Sequence, residues 1–250
     1  MSFLRSLLFS TPLLLLATVV MDAVSMVCSF FDRSGKSSHR VARAWGGVLM
    51  AISFIRVRVE GLEKLDPRAN YVFVSNHSSY LDIPAILSRL PYQFRFFAKK
   101  GLFQIPFLGW HLRWAGHLPV DRGNARASLK SMSEGAKRVA EEHISMLIFP
   151  EGGRSRPEQG LREFKEGAVY IAIKAGVPLV PVALVGLRDL LPMGSGHMRS
   201  GKVTLRIGDP IPTSGLHISA REALTARLHE EVAGMLGYGA SRAAGPVIRP

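Results

Sequence analysis

An apolar run near the N-terminus limits what this chain can fold into. Between residues 6 and 31 the only charged side chain is Asp22, and roughly 20 apolar residues are enough to cross a bilayer. A second apolar stretch at 41–55 contains Arg43 and is too short to span comfortably. Together they predict a membrane-associated helical hairpin that re-enters the bilayer or lies at its interface. A single spanning helix, a signal peptide and a buried soluble helix are the alternatives.

The linker between the two apolar stretches is basic. Residues 32–40 include Arg33, Lys36 and Arg40, and basic residues beside a membrane segment favour the cytoplasmic side. We therefore expect a membrane protein whose following domain lies on the cytoplasmic face, provided that the second stretch does not cross.

Composition narrows the class of protein. Apolar residues make up 47% and charged residues 20% of the 250 residues, which excludes a disordered chain. The net charge of +13 indicates an anionic partner such as a membrane surface, a phosphate substrate, an acidic protein or nucleic acid. Cys28 is the one cysteine, so neither a disulfide framework nor a thiolate metal site can form within one chain.

Strand-like and helix-like segments alternate after the hairpin. Strands are predicted at 71–75, 94–98, 144–149, 179–185 and 202–207, and helices at 81–90, 129–142, 164–175 and 220–236. Alternation of this kind predicts an α/β fold with a mixed, mostly parallel sheet flanked by helices. The predicted divisions are membrane-associated helices at 1–58, an α/β domain at 59–236 and a flexible tail at 237–250. The aromatic segment 102–118 is expected to be irregular or a short helix.

The segment Asn76-His77-Ser78-Ser79-Tyr80-Leu81-Asp82 carries the strongest chemical signal. His77 follows a predicted buried strand, and ligand sites in open α/β sheets favour that edge. Asp82, in the first turn of the next helix, can reach back to the imidazole and fix its tautomer. However, Ser79-x-x-Asp82 also matches a helix capping pattern, which needs no catalysis. Both interpretations stay open on this segment alone.

Three later segments are weaker on their own. Residues 149–156 form a glycine-containing loop after a strand, in which Arg154 could bind a phosphate, although on this segment alone a solvated surface turn is the favoured interpretation. Lys165 opens a predicted helix, whose N-terminus favours anions. Residues 177–182 read as a strand flanked by prolines that could line an apolar slot.

The order of these segments resembles the glycerolipid acyltransferase family, specifically 1-acylglycerol-3-phosphate acyltransferases. The resemblance covers roughly residues 71–185. Its four blocks match 76–82, then Lys99-Lys100-Gly101-Leu102 with Pro106, Gly109, Gly116, Asp121 and Arg122, then 149–155, and finally 177–182. Two positions depart from the family pattern. Gly101 stands where glutamate is frequent, which leaves fine substrate preference open. Gly153 stands where threonine is usual, which could loosen the acceptor loop.

The resemblance implies transfer of an acyl group from a thioester to a glycerol hydroxyl, in which His77 is the general base and Asp82 orients it. It implies an acceptor and phosphate site formed by Glu151, Gly152, Arg154, Lys165 and Gly167. An acyl groove or donor site is expected at Lys99, Lys100, Pro106, Gly109, Arg122, Val177 and Pro178. Oxyanion donors are expected among the backbone N–H groups near Ser78 or Gly152. The expected partners are a lysophospholipid, membrane lipid and an acyl thioester (acyl-CoA or acyl-acyl carrier protein), with no cofactor and no metal.

Other functions remain as alternatives. The same chemistry could serve glycerol 3-phosphate, another lysophospholipid or transacylation between phospholipids. A non-catalytic protein that binds anionic lipid would keep the basic hairpin but would not need both His77 and Asp82. Nucleic-acid binding is disfavoured because no nucleic-acid motif appears. A metal hydrolase lacks an evident third ligand, since His111, His117 and His143 lie in unrelated contexts.

Overall fold

A single seven-stranded sheet organises the protein. The computed structural model describes residues 2–121 and 123–238. The strand order is β1-β7-β6-β2-β5-β3-β4, and every neighbouring pair is parallel except β6 and β7. The strands are β1 (Ile55–Glu60), β2 (Val72–Ser75), β3 (Phe94–Lys99), β4 (Leu118–Val120), β5 (Ser145–Ile148), β6 (Leu179–Val185) and β7 (Gly201–Ile207). The predicted fold, a mixed and mostly parallel sheet, is confirmed.

Helices cover both faces of the sheet. They are α1 (Ser2–Arg5), α2 (Thr11–Phe31), α3 (Lys36–Ile52), α4 (Asp82–Arg89), α5 (Leu108–Trp114), α6 (Ala125–Glu141), α7 (Gly167–Ala175), α8 (Leu187–Leu190) and α9 (Arg221–Leu236). Successive strand residues point to opposite faces. Phe73 therefore packs in the core with α3 and α4, whereas Val72 and Val74 pack in the core with α6, α7 and α9. Burial on both faces explains why the central strands read as continuous apolar runs.

The order and direction of the central strands decide where the site forms. Strands β2 and β5 are adjacent and parallel, with Val74 paired to Ile148, and β2 pairs in the same sense with β6. Their carboxyl ends therefore meet at one edge of the sheet. The segment that begins at Asn76 and the loop that follows β5 both leave the sheet there, at the type of edge where open α/β sheets bind ligands.

The N-terminal apolar run forms the predicted hairpin. Helix is continuous over Phe3–Phe31, with a π-helical turn at Ser6–Ser10, and this is long and apolar enough to cross a membrane. Asp32 closes the turn into α3, since its carboxylate accepts hydrogen bonds from the backbone N–H groups of Ser34 (2.9 Å) and Ser37 (2.8 Å). The second helix packs on the α/β domain. A Cβ at Gly46 would lie 2.6 Å from the carbonyl oxygen of Pro84 on α4.

Both ends of the long apolar helix are attached to the same domain. Near its start, the Ser6 hydroxyl donates to the Met198 carbonyl (2.8 Å). Just beyond its end, Arg95 donates to the Ser34 carbonyl (3.0 Å). Only 11% of its most apolar 18-residue segment is buried. The long helix therefore presents a broad apolar face to its surroundings, which indicates membrane association.

Several boundaries differ from the predicted ones. Helix α6 begins at Ala125, four residues early, because the Asn124 side chain caps it by accepting from the N–H of Ala127 (2.9 Å). The predicted division after residue 58 falls inside β1. Helix α7 ends at the predicted residue, and Gly176 caps it in the left-handed conformation, with φ at +67°. Of the predicted flexible tail, residues 239–250 lie outside the described residues.

Candidate active site

His77 lies at the carboxyl end of β2, where the chain turns away from the sheet. The preceding residue, Asn76, fixes this turn by pairing with the backbone of β6. Its side-chain oxygen accepts from the N–H of Leu184 (2.8 Å), and its side-chain nitrogen donates to the Leu184 carbonyl (3.2 Å). These two hydrogen bonds continue the pairing of β2 with β6 by one residue, through a side chain. His77 follows directly, at the edge of the sheet.

The predicted His–Asp pair is present. Nδ1 of His77 lies 2.7 Å from Oδ2 of Asp82, and Asp82 is fully buried. The same oxygen also accepts from the backbone N–H groups of Ser78 (2.7 Å) and Ser79 (2.9 Å). Asp82 thus holds the turn that precedes α4 and orients the imidazole with one carboxylate oxygen. The predicted helix cap is not formed, since none of the described side chains caps α4, whereas the contact that the catalytic interpretation requires is present.

These contacts determine which nitrogen of His77 can serve a substrate. An oxygen that accepts from two backbone N–H groups takes its third hydrogen bond from a protonated Nδ1, which leaves the lone pair on Nε2. The ring stacks on Phe149, with centroids 4.1 Å apart and planes 19° apart. His77 is 8% exposed and lines the cavity described below. These contacts fix the orientation of the imidazole at the cavity.

Glu151 contacts the backbone of His77 and not the cavity that the His77 ring lines. Its Oε1 accepts from the backbone N–H of His77 (2.6 Å), and its Oε2 accepts from the N–H of Arg162 (3.1 Å). Burial raises the pKa of the Glu151 carboxyl, and these two hydrogen bonds oppose that rise. The carboxylate does not line the cavity. The predicted contact of Glu151 with the acceptor is therefore wrong, because its two carboxylate oxygens accept backbone hydrogen bonds that join two loops.

Ser155 and Arg188 complete the support of His77. The Ser155 N–H and hydroxyl both donate to the His77 carbonyl, at 2.8 and 3.2 Å. Arg188 in α8 donates in turn to the Ser155 hydroxyl (2.7 Å) and to the Gly160 carbonyl (2.8 Å). Ser155 falls within the third sequence block, so sequence analysis could have selected it as a site residue. Arg188 belongs to no block, and sequence analysis missed it.

The remaining predicted acceptor residues lie together on the cavity wall. Gly152, Arg154, Lys165 and Gly167 all line it. Arg154 donates from Nε to the Ser79 carbonyl (3.2 Å), and its guanidinium lies over the Tyr80 ring at 4.7 Å. A Cβ at Gly152, where φ is +73°, would come within 3.1 Å of the Lys165 ammonium. Glycine thus allows Lys165 to approach the loop closely, and two cations share this wall.

The cavity itself has a volume of about 1230 Å³ and spans the carboxyl edge of the sheet. We name its two sides by what lines them. The hairpin side lies against α2, α3, α4 and α5 and includes Met21, Asp22, Trp45, Ile83, Leu87 and Leu112. The α6 side includes Phe97, Ser128, Met132, Ala168 and Tyr170. His77 lines this one mostly apolar cavity, which has room for hydrocarbon chains.

The predicted groove or donor residues do not stay together. Lys99 lines the cavity, whereas Lys100 lies 3.6 Å from Asp121. Pro106 is exposed, and Gly109 is buried against the Phe103 carbonyl. Arg122 lies outside the described residues.

Val177 and Pro178 precede β6 and so lie at the amino edge of the sheet, opposite His77. There the Pro178 carbonyl accepts from the N–H of Val72 (3.0 Å), and the Val177 carbonyl accepts from the Thr213 hydroxyl (2.7 Å). Their predicted place in a groove beside the site is wrong.

The predicted oxyanion donors also need correction. The N–H of Ser78 donates to Asp82, and the N–H of Gly152 donates to the Phe149 carbonyl at 3.2 Å. Both groups therefore serve the local fold and are not directed at a substrate.

A His–Asp pair, a cationic loop and a mostly apolar cavity thus lie together in an α/β fold, beside an exposed apolar helix. A family model described as Acyltransferase matches residues 56–185, about half of the chain. The chain belongs to the Acyltransferase family.

Known proteins agree with this assignment. The chain is 33% identical over 240 residues to a 1-acyl-sn-glycerol-3-phosphate acyltransferase of Chlamydomonas reinhardtii, covering 94% of this chain and 70% of that protein. It is 30% identical over 220 residues to the enzyme so named from Haemophilus influenzae, covering 87% and 90%. The crystal structure of the acyltransferase PlsC from Thermotoga maritima matches with a TM-score of 0.78 and 28% identity, covering 95% of this chain and 97% of that one.

Chloroplast relatives are longer. A 1-acyl-sn-glycerol-3-phosphate acyltransferase of Arabidopsis thaliana is 36% identical over 191 residues, and the match covers 75% of this chain but 52% of that protein. The corresponding Brassica napus protein is covered to 56%. The chain thus spans about half the length of these two relatives.

Proposed function

We propose that this protein transfers a fatty acyl group from an acyl thioester to the free hydroxyl of lysophosphatidate, which yields phosphatidate for phospholipid synthesis. The observation that carries the proposal is the 2.7 Å contact between His77 and Asp82 at the mouth of an apolar cavity with a cationic wall. Relatives named 1-acyl-sn-glycerol-3-phosphate acyltransferases support the choice of acceptor.

His77 is the general base of the proposed reaction. Its Nε2 takes the proton from the lysophosphatidate hydroxyl as the oxygen attacks the thioester carbonyl. The new C–O bond forms, the C–S bond breaks, and the leaving thiolate takes the proton from the imidazolium. Asp82 stabilises that imidazolium and keeps Nδ1 protonated. The substrate supplies its own nucleophile, which agrees with the Ser79 and Ser155 hydroxyls being used in backbone contacts.

Arg154 and Lys165 bind the acceptor phosphate in this proposal. Arg154 is held by the Ser79 carbonyl and by Tyr80, so its terminal nitrogens are oriented before substrate arrives. Guanidinium and ammonium groups form strong charge-assisted hydrogen bonds with phosphate. Gly152 and Gly167 supply the close backbone approach. Glu151 does not contact the acceptor in this proposal. It is a positioning residue that holds the backbone N–H of His77.

The hairpin places the site at the bilayer surface. Lysophosphatidate and phosphatidate both reside in lipid, and the hairpin side of the cavity adjoins the apolar helix α2. Because both ends of the Phe3–Phe31 helix are attached to one domain, we propose that this helix lies in one leaflet rather than crossing it. The basic linker with Arg33, Lys36 and Arg40 favours the cytoplasmic face for the catalytic domain.

The donor is a soluble acyl thioester, either acyl-CoA or acyl-acyl carrier protein. Both are anionic, and the net charge of +13 suits either. The reaction as written balances without a cofactor. The donor approaches from the aqueous side and the acceptor from the bilayer, so that the two chains meet at His77.

The test is mass spectrometry of the products formed by purified protein in vesicles. A panel of acceptors, namely lysophosphatidate, other lysophospholipids and glycerol 3-phosphate, is combined with each thioester donor. We expect phosphatidate that carries the donor's acyl chain and depends on thioester. Preferential acylation of another acceptor would support the alternative substrates, and product without thioester would indicate transacylation. Binding of anionic vesicles with no acylated product would favour the non-catalytic alternative.

A further inference from the structure

A cluster of large apolar side chains is exposed on the α/β domain beside the hairpin. It lies within residues 102–114 and consists of Leu102, Ile105, Phe107, Leu108, Trp110 and Trp114. The domain's other exposed large apolar residues, such as Leu129, Leu216 and Tyr238, occur singly. Contiguous exposed apolar surface marks an interaction site, whereas scattered residues need no explanation.

A strained turn directs this cluster outward. Phe107 has φ +64° and ψ −63°, and the N–H of Leu108 donates to the Pro106 carbonyl at 2.8 Å, which together define a γ-turn that non-glycine residues rarely adopt. The turn folds α5 back so tightly that a Cβ at Gly109 would lie 2.3 Å from the Phe103 carbonyl oxygen. A strained residue persists only where its surroundings over-determine it.

The fold places three aromatic residues on one face of α5. Phe107, Trp110 and Trp114 follow helical spacing and are 62%, 46% and 47% exposed. The opposite face is buried, since Gly109 and Leu112 pack inward. We call these three residues the aromatic face. The aromatic face does not complete the core of the domain, because the opposite face of α5 is already buried.

The aromatic face is joined to the apolar helix α2. Helix α5 packs against α2, and Asp22, the only charge in the apolar run, lies 3.1 Å from Nδ1 of His111 on α5. An acidic residue in a lipid-facing helix is costly unless it has a partner. This pair gives Asp22 its partner and fixes the two helices relative to each other. The exposed apolar surfaces of α2 and α5 are therefore parts of one body.

We propose that the aromatic face is a second membrane contact, which inserts into the headgroup and upper acyl region of the same leaflet as the hairpin. Tryptophan favours that depth. Lys99, Lys100 and Arg113 are exposed and lie near it along the chain, and positive charge suits anionic lipid headgroups. Both helices also line the cavity, α2 through Met21 and Ser25 and α5 through Leu108 and Leu112. The acceptor lipid thus enters laterally between two surfaces that are both in lipid.

Tryptophan quenching by brominated lipid tests this contact directly. The chain has three tryptophans, so W45F/W114F leaves Trp110 alone and W45F/W110F leaves Trp114 alone. The full-length variants are reconstituted into phosphatidylcholine–phosphatidylglycerol vesicles whose acyl chains are brominated near the headgroup. A matched control is L216W without the three native tryptophans, because Leu216 is exposed to a similar degree but follows Thr213, which bonds at the amino edge of the sheet.

We expect brominated vesicles to reduce the Trp110 and Trp114 emission by about twofold or more, while L216W stays unquenched and accessible to acrylamide. If Trp110 and Trp114 behave like L216W, the aromatic face lies in water and the proposal is wrong. Shielding from both quenchers would also overturn it, since it would indicate a protein partner or a second copy of the chain. The measurement needs no turnover, so its failure is separate from failure of the proposed reaction.

Discussion

The polar edge around His77 and the lipid-facing hairpin side of the cavity are built by opposite physical means. At the edge, the His77 ring, N–H and carbonyl each have a fixed hydrogen-bond partner in Asp82, Glu151 and Ser155. On the hairpin side, most of the residues that line the cavity are apolar, and Asp22 and His111 lie in contact between α2 and α5. A directional network loses function when one atom is changed, whereas apolar packing loses stability gradually.

The difference predicts where substitutions act. Changes at the polar edge should reduce turnover or acceptor affinity with modest effects on folding. Changes between the hairpin and the domain should reduce stability with modest effects on the chemistry.

The largest effect is expected from Asp82→Asn. Asparagine keeps one oxygen that can accept from the His77 ring and from the N–H groups of Ser78 and Ser79, but it removes the negative charge that stabilises the imidazolium. We expect kcat to fall by about 10²–10⁴-fold, with a loss of roughly 1 kcal/mol in stability because an uncharged oxygen accepts the two backbone hydrogen bonds more weakly. Asp189→Asn is the control, because Asp189 also lies in the first turn of a helix but is exposed. A kcat of Asp82→Asn close to that control would contradict the role of Asp82.

Arg154→Ala should act on the acceptor. Hydrogen bonds to charged groups contribute about 1.5–3 kcal/mol, so KM for lysophosphatidate should rise by roughly 10–100-fold while KM for the donor stays near its original value. Arg156→Ala is the control, since Arg156 lies on the same loop but does not line the cavity. Steady-state kinetics with each substrate varied in turn make the distinction. An unchanged acceptor dependence would remove Arg154 from the phosphate site.

Gly46→Ala should loosen the hairpin. Its Cβ would lie 2.6 Å from the Pro84 carbonyl oxygen, whereas a Cβ at the neighbouring Gly47 meets nothing within 4 Å. We expect Gly46→Ala to lower the free energy of unfolding by about 1–3 kcal/mol. Gly47→Ala should leave it unchanged or slightly higher, because alanine favours helix. Thermal unfolding in detergent compares the two, and equal effects would mean that α3 does not pack closely on α4.

The smallest effect concerns pH. Burial, with help from the nearby Arg95 charge, holds the pKa of His39 at about 4, below its ordinary value of 6.5. The folded protein therefore binds fewer protons than the unfolded chain between these values, and stability falls as the pH drops through that window. Going from pH 7 to pH 6 should cost roughly 0.7 kcal/mol from this group. His39→Gln should make the dependence shallower in thermal unfolding at several pH values. An identical slope would show that His39 does not contribute.

The contrast between the polar edge around His77 and the apolar hairpin side also explains which features the sequence could predict. Buried strands reveal themselves by continuous apolar runs, and parallel strands bring their carboxyl ends together, so His77 and the loop after β5 were expected at one edge. The direction in which Glu151 points depends on how the loop to Arg162 folds back, which no local pattern encodes. Val177 and Pro178 were misplaced because a sequence block does not reveal which end of its strand faces the site. Strand β4 and helix α8 are too short for a periodic signal.

The central claim is that His77 is the base in acyl transfer. The most direct measurement is the initial rate at which purified His77→Ala protein in vesicles converts lysophosphatidate and acyl thioester to phosphatidate. His217→Ala serves as the control, because His217 is exposed on a loop and does not line the cavity. The account predicts that turnover falls by about 10²-fold or more in folded His77→Ala protein and is retained in the control. Near wild-type turnover in His77→Ala protein would contradict it.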